Sequence, residues 1–230
     1  MNGTDIAARS GAASRDAEAI AIVAGATVLY LAFHLLQKAD PSPRRPLRRR
    51  WIGFVLLGLV PLALVVALSP RPLAAYGLTL DDLPWSLGVG VATWLGLLPL
   101  IALQARSVAF QASYPELRLP LVGRAARDNA VTWILYLVAY ELFFRGFLLL
   151  GLAPVLGPHL ALAVVTMAYV FVHLDKYAGE AIGTIFTGVG FGLAALHTGS
   201  IVMPLVAHVL IALTSDTLAW RAAARRGVTP

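Results

Sequence analysis

The sequence predicts an all-α, multi-pass transmembrane bundle of about seven (seven or eight) spanning helices. Three observations predict it. Hydrophobic residues make up 59% of the chain and charged residues 13%, with a mean hydropathy of +0.77. A soluble domain carries about 25% charged residues. The apolar residues fall into blocks of roughly 17–25, the length a spanning helix needs. Lysine and arginine gather between alternate blocks, as they do at the two faces of a membrane.

The elements follow in order. Residues 1–18 read as a polar, Ala/Gly/Ser-rich, disordered tail. Spans are expected at 19–37, 51–69, 84–105, 129–152, 157–174, 179–197 and 200–219, within one transmembrane domain covering 19–220. A basic tail, 221–230, closes the chain. Pro61 and Pro99 fall inside spans two and three and are expected to kink them. Residues 106–128 have room for a short interfacial helix, an eighth, broken by Pro115 and Pro120. Gly179 with Gly183, and Gly188 with Gly192, stand at the small-xxx-small spacing that lets transmembrane helices approach closely. No internal repeat is visible, which argues against an inverted-repeat transporter. The chain has no cysteine, so disulfides, thiol nucleophiles and thiolate metal sites are excluded.

Charge sets the expected orientation. The first loop holds Lys38, Arg44, Arg45, Arg48, Arg49 and Arg50; the third holds Arg106, Arg118, Arg124 and Arg127. Lys176 lies in the fifth, and Arg221, Arg225 and Arg226 lie in the tail. The intervening loops hold only Arg71. With seven spans these basic segments share one side, which the positive-inside rule makes cytoplasmic. The expectation is a cell-membrane protein with its N-terminus outside and its C-terminus in the cytoplasm. The net charge of +6 and the pI near 10.1 then reflect topology rather than nucleic-acid binding. The Arg44–Arg50 cluster is suited to anionic lipid headgroups.

Ionisable groups inside apolar spans point to function. Glu141 and Arg145 stand four residues apart, on one helix face, and can pair. A charge near the bilayer centre costs roughly 2.5–3.5 kcal/mol on insertion scales. A buried pair is often no more stabilising than well-packed apolar residues. The C-terminal half adds His173, Glu180, His208 and Asp216. Such groups usually face a bundle interior or a water-filled cavity. His34, His159 and His197 stand singly and read as structural, and Lys176 reads as a snorkelling side chain. Two histidines with carboxylates can activate water by general base catalysis. Two histidines and a glutamate are equally the ligand set of some hydrolytic zinc sites, here His173, Glu180 and His208. H-E-x-x-H is absent.

The order Glu141-x-x-x-Arg145-Gly146, then Tyr169-x-x-x-His173, then His208 after Thr198-Gly199-Ser200, resembles the CPBP family of CAAX-type prenyl endopeptidases and bacteriocin-processing membrane proteins. The resemblance covers roughly 129–219. It implies a helical bundle whose cavity opens to the cytoplasm. It also implies hydrolysis of a peptide bond in a membrane-associated protein or peptide, prenylated or unmodified, with lipids as the surrounding partners. The family pattern is E-E-x-x-x-R, F-x-x-x-H and H-x-x-x-N/D. This chain departs from it with Tyr140 at the first Glu and Ala212 at the final Asn or Asp. A phenol with a pKa near 10 is a poor base at neutral pH, and alanine cannot donate to an oxyanion. Glu180 and Asp216 are read as compensating.

The expected roles are as follows. Glu180 or Glu141 acts as general base with His173 positioning the water. His208 stabilises the oxyanion or binds a metal, with Zn2+ the candidate. Arg145 holds Glu141, and Asp216 orients His208. The alternatives are a non-hydrolytic family member with a binding or regulatory role, and an ion or solute pathway.

Overall fold

The computed structural model describes residues 3–37 and 44–225, with side chains from residue 16 onward. Lys38 of the first basic loop, and Arg226 with the rest of the tail to 230, lie outside the described residues. All regular structure among the described residues is helical. The chain runs α1 (Gly3–Gln37), α2 (Arg45–Gly53), a π-helix (Phe54–Leu59) and α3 (Val60–Leu68), then α4 (Leu83–Gln104) and α5 (Val108–Ser113). There follow α6 (Gly123–Glu141), a second π-helix (Leu142–Leu150), α7 (Gly151–Leu156), α8 (Pro158–Phe171), α9 (Ala178–Thr198) and α10 (Val202–Arg225).

Six segments are long and apolar enough to cross a membrane: Asp16–Gln37, Arg45–Leu68, Leu83–Gln104, Gly123–Leu156, Ala178–Thr198 and Val202–Arg225. Six of the seven expected spans are therefore long helices, and the seventh is a shorter apolar helix. The expected span at 157–174 is α8, whose 14 residues reach about 21 Å at 1.5 Å per residue. That falls short of the roughly 30 Å hydrocarbon core. Gly157, at φ 78°, and Pro158 start α8, and residues 172–177 form the turn after it. The short helix still carries the chain from one end of the bundle to the other. Before it, the Leu150 and Gly151 carbonyls accept from Arg71. After it, Lys176 reaches Glu116 and the basic end.

One other expectation changes. Helix α1 takes in residues 3–18, where a disordered tail is expected. Alanine is the strongest helix former, and Ala7, Ala8, Ala12, Ala13 and Ala17 fall in this stretch. Pro61 sits in the first turn of α3 beside a π-helical stretch, and Pro99 lies inside a continuous α4. The interfacial helix expected in 106–128 is α5, capped by Ser107, whose hydroxyl accepts from the Phe110 amide at 3.2 Å.

The segment Gly123–Leu156 is the central element. Its apolar window is 78% buried, against 39% or less for every other span. It packs on α1, α2, α8, α9, α10 and the first π-helix. Helix α4 packs along α10, where Trp94 Nε1 donates to Thr214 Oγ1 at 2.9 Å. The exposed leucines, valines and Phe186 on the outer helices suit a lipid-facing surface. Gly188 and Gly192 lie against Thr166 and Leu162 of α8, whereas a Cβ on Gly183 would meet open space. Close packing therefore explains one of the two glycine pairs.

Gly146 follows Arg145 in the second π-helix. A Cβ there would lie 2.5 Å from the Tyr76 carbonyl oxygen and 2.9 Å from Leu142 Cδ1. The first obstacle is backbone and cannot rotate away. Gly146→Ala is expected to destabilise the fold by about 1–3 kcal/mol, the cost of overpacking a tight contact. Thermal unfolding in detergent measures this, and an unchanged midpoint would mean that the backbone gives way freely.

Candidate active site

The site is built from the central element outward. Glu141 ends α6 and Arg145 follows in the π-helix, a form frequent at functional sites. Arg145 Nη1 lies 3.3 Å from Glu141 Oε1 and 3.1 Å from Oε2. The guanidinium also lies over the Tyr169 ring at 4.3 Å and 5.4 Å from the Phe191 ring centre. A cation on a ring face is attracted by its quadrupole. On α10, His208 Nδ1 stands 2.5 Å from Glu141 Oε1. A carboxylate can only accept, so Nδ1 carries the proton and Nε2 is the second ring nitrogen. The expected Glu141–Arg145 pair is thus a trio with His208.

His173 lies in the turn after α8. Its Nδ1 is 2.7 Å from the Tyr169 carbonyl oxygen and must donate to it, which leaves Nε2 as an acceptor when the ring is neutral. Glu180 is in the first turn of α9. Tyr114, between α5 and α6, donates its hydroxyl to Glu180 Oε1 at 3.0 Å. Glu180 Oε2 is buried and has no hydrogen-bond partner among the described residues.

A cavity of about 1130 Å³ joins these groups. Tyr114, Tyr140, His173, Glu180, His208 and Ala212 all line it. Glu141 is not on its wall and reaches it through His208. Tyr140, at the position of the family's first Glu, is buried with its ring centre 6.2 Å from that of His173 and 5.7 Å from that of His208. An aromatic ring thus stands on the cavity wall close to both histidines. Ala212 forms an apolar part of the wall.

Asp216 does not accompany His208. Its Oδ2 accepts from Trp133 Nε1 at 2.6 Å and from Asn129 Nδ2 at 3.0 Å, and its Oδ1 from the Glu116 amide at 3.1 Å. Arg50 Nη2 lies 3.7 Å from the same carboxylate. Eight residues on a helix advance the direction by 80° past two turns at 100° per residue. That angle turns Asp216 away from His208 and into a second network at the basic end. The expected role of orienting His208 is replaced by this structural one.

Glu116 is the hub of that network. Its carboxylate takes Arg49 at 2.5 Å, Arg50 at 3.1 Å and Lys176 at 2.9 Å, with 7% of the side chain exposed. Burial alone would raise its pKa, but Arg49, Lys176 and Arg50 bring it well below the ordinary carboxylate range. Burial alone would lower the Lys176 amine, and Glu116 and Glu180 outweigh that and raise it. Burial, with Glu180 and Glu116 nearby, holds the Tyr114 phenol well above its usual pKa, so it remains a donor. Sequence reading passed over Tyr114 and Glu116. The available signal was slight: Glu116 is the one carboxylate between Arg106 and Arg127.

His173, Glu180 and His208 were also read as a zinc ligand set. They share the cavity, but no three His, Asp or Glu side chains among the described residues gather at ligand spacing. Nδ1 of each histidine donates to Glu141 or to a carbonyl, so a metal would meet Nε2.

Residues 127–214 match the family model described as type II CAAX prenyl endopeptidase Rce1-like. The match covers less than half of the chain, and that segment is similar to the CAAX-protease family. No curated protein and no solved structure matches the chain. The Rce1-like segment contains Glu141, Arg145, His173, Glu180 and His208, and ends before Asp216. Arg49, Arg50, Tyr114 and Glu116 lie outside it, so the hub of the basic-end network and the partner of Glu180 come from the rest of the chain.

Proposed function

We propose that the protein is an intramembrane endopeptidase that hydrolyses a peptide bond in a membrane-associated protein or peptide, with Glu180 as general base. The observation carrying this reading is that Glu180 lines one cavity with His173 and His208 and holds a buried Oε2 with no hydrogen-bond partner among the described residues. Glu141 is a weaker candidate, since Arg145 and His208 engage it behind the wall.

Water in the cavity gives one proton to Glu180 as its oxygen adds to the scissile carbonyl carbon. Nε2 of His173 accepts the hydrogen that stays on that oxygen and aims it. His208, carrying a second ring proton, donates from Nε2 to the developing oxyanion, with Glu141 stabilising the imidazolium. The C–N bond then breaks, and Glu180 returns its proton to the leaving amine. His208 thus serves where the family's final Asn or Asp would, and Ala212 needs no role. The basic end faces the cytoplasm in this reading, with the N-terminus outside. Arg44, Arg45 and Arg48, all exposed there, lie near the headgroups.

A non-hydrolytic reading is favoured by one observation, the buried Tyr140 ring close to both histidines. Cleavage of farnesylated and unmodified membrane-proximal peptides by the purified protein decides between them. His173→Ala is expected to lose about 100-fold or more in turnover while still retaining bound peptide. No cleavage by folded wild-type protein that binds the same peptides would favour the binding role. A chelator is expected to leave cleavage unchanged, and its loss with chelator would overturn the metal-free mechanism.

A further inference from the structure

We infer that Tyr114 is a positioning residue for Glu180, supplied by a strap that the basic end clamps into the cavity wall. The inference rests on the reading of Glu180 as general base. The strap runs from α5 to the start of α6. Phe110 anchors it against Tyr114 and Tyr177, with ring centres 4.9 Å and 5.7 Å away. Leu117, fully buried, anchors its other side. Between them Glu116 binds Arg49 and Arg50 of α2 and Lys176 of the turn before α9, and its amide donates to Asp216 of α10. Three separate parts of the bundle therefore fix the residue two places from Tyr114.

The phenol donates to one oxygen of Glu180 and leaves the other unpartnered. A carboxylate with one oxygen tied and one free has a fixed direction for accepting a proton, which is what a general base needs. The donor must also stay protonated, and the burial of Tyr114 ensures this. A second tether comes from Tyr177, at the foot of α9, whose hydroxyl donates to Gln104 Oε1 at 2.8 Å. Both ends of the Glu180 turn are thereby attached to the strap and to α4.

The test is Tyr114→Phe, which removes one oxygen and keeps the ring packing. In the peptide assay kcat is expected to fall about tenfold with KM within twofold, the signature of an interaction used in the transition state. The thermal midpoint should stay within a few degrees. A purely structural tyrosine would lower the midpoint and spare kcat in the protein that remains folded. A readout independent of hydrolysis is the infrared carboxyl band that appears on acidification and is absent in Glu180→Gln. Tyr114→Phe is expected to move that band, because its hydrogen bond is lost. An unmoved band with an unchanged kcat overturns the positioning role. If Glu180→Gln keeps full turnover while the band still moves in Tyr114→Phe, the reading of Glu180 as base has failed and the contact stands.

Discussion

Glu180→Gln is expected to lower kcat by about 100-fold or more, with KM little changed, because general base catalysis contributes roughly 10²–10⁴ in rate. Gln keeps the shape of the side chain. Its amide carbonyl can still accept from Tyr114 in place of Oε1, so the local fold should survive. What it loses is the ability to take a proton from water at the buried, unpartnered Oε2 position. The matched control is Glu141→Gln. That carboxylate stabilises a charged His208 and balances Arg145, so its loss is expected to affect stability as well as rate. Steady-state kinetics on detergent-purified protein, with unfolding midpoints beside them, separate the two. Equal kcat losses in both variants, with Glu180→Gln also unfolding early, would remove the case for Glu180 as base.

The largest stability effect is expected at Glu116. Glu116→Ala leaves Arg49, Arg50 and Lys176 facing one another with their common partner gone. Removing one member of an enclosed charge pair costs about 3–5 kcal/mol, and here three cations lose it together. Acid should produce the same loss gradually. Because the folded carboxyl titrates well below the ordinary value near 4.3, the unfolded chain takes up its proton first as pH falls. The contribution is complete above about pH 5 and disappears as pH drops through the folded value. Lys176 acts in the opposite sense. Its raised folded pKa means a contribution present below about pH 10, lost as pH climbs through the folded value. Unfolding midpoints measured from pH 7 to pH 3 check the acid arm. Glu116→Gln should flatten that slope, and a slope identical to wild type would assign acid sensitivity to other groups.

These expectations also mark what was legible before any coordinates. The apolar blocks predicted all six long spans, three of them within about three residues at both ends, because a hydrocarbon slab selects length and composition almost directly. The second was expected to begin at 51, but its helix starts at Arg45, because arginine is a good helix former and can snorkel from a helix end. The block at 157–174 misled for a related reason. Composition records that a stretch is apolar, and it does not record how much of it a neighbouring loop uses as a turn. His173, Glu180 and His208 were found as ionisable groups out of place in apolar surroundings, and all three line the cavity. Tyr114 and Glu116 gave no such signal, since a tyrosine and a glutamate in a polar loop are ordinary.

By itself the sequence determined the class of fold, the membrane setting and the identity of the intramembrane polar groups. Each of these depends on the free energy of moving a residue from water to hydrocarbon, a property of the residue. Only the tertiary structure decided partnership. It gave Glu141 to His208, Asp216 to Trp133 and Asn129, and Tyr114 to Glu180. These contacts join residues 66 to 87 positions apart. A hydrogen bond is made only within about 3 Å and in the right direction, and neither condition is written in the spacing of residues along separate helices.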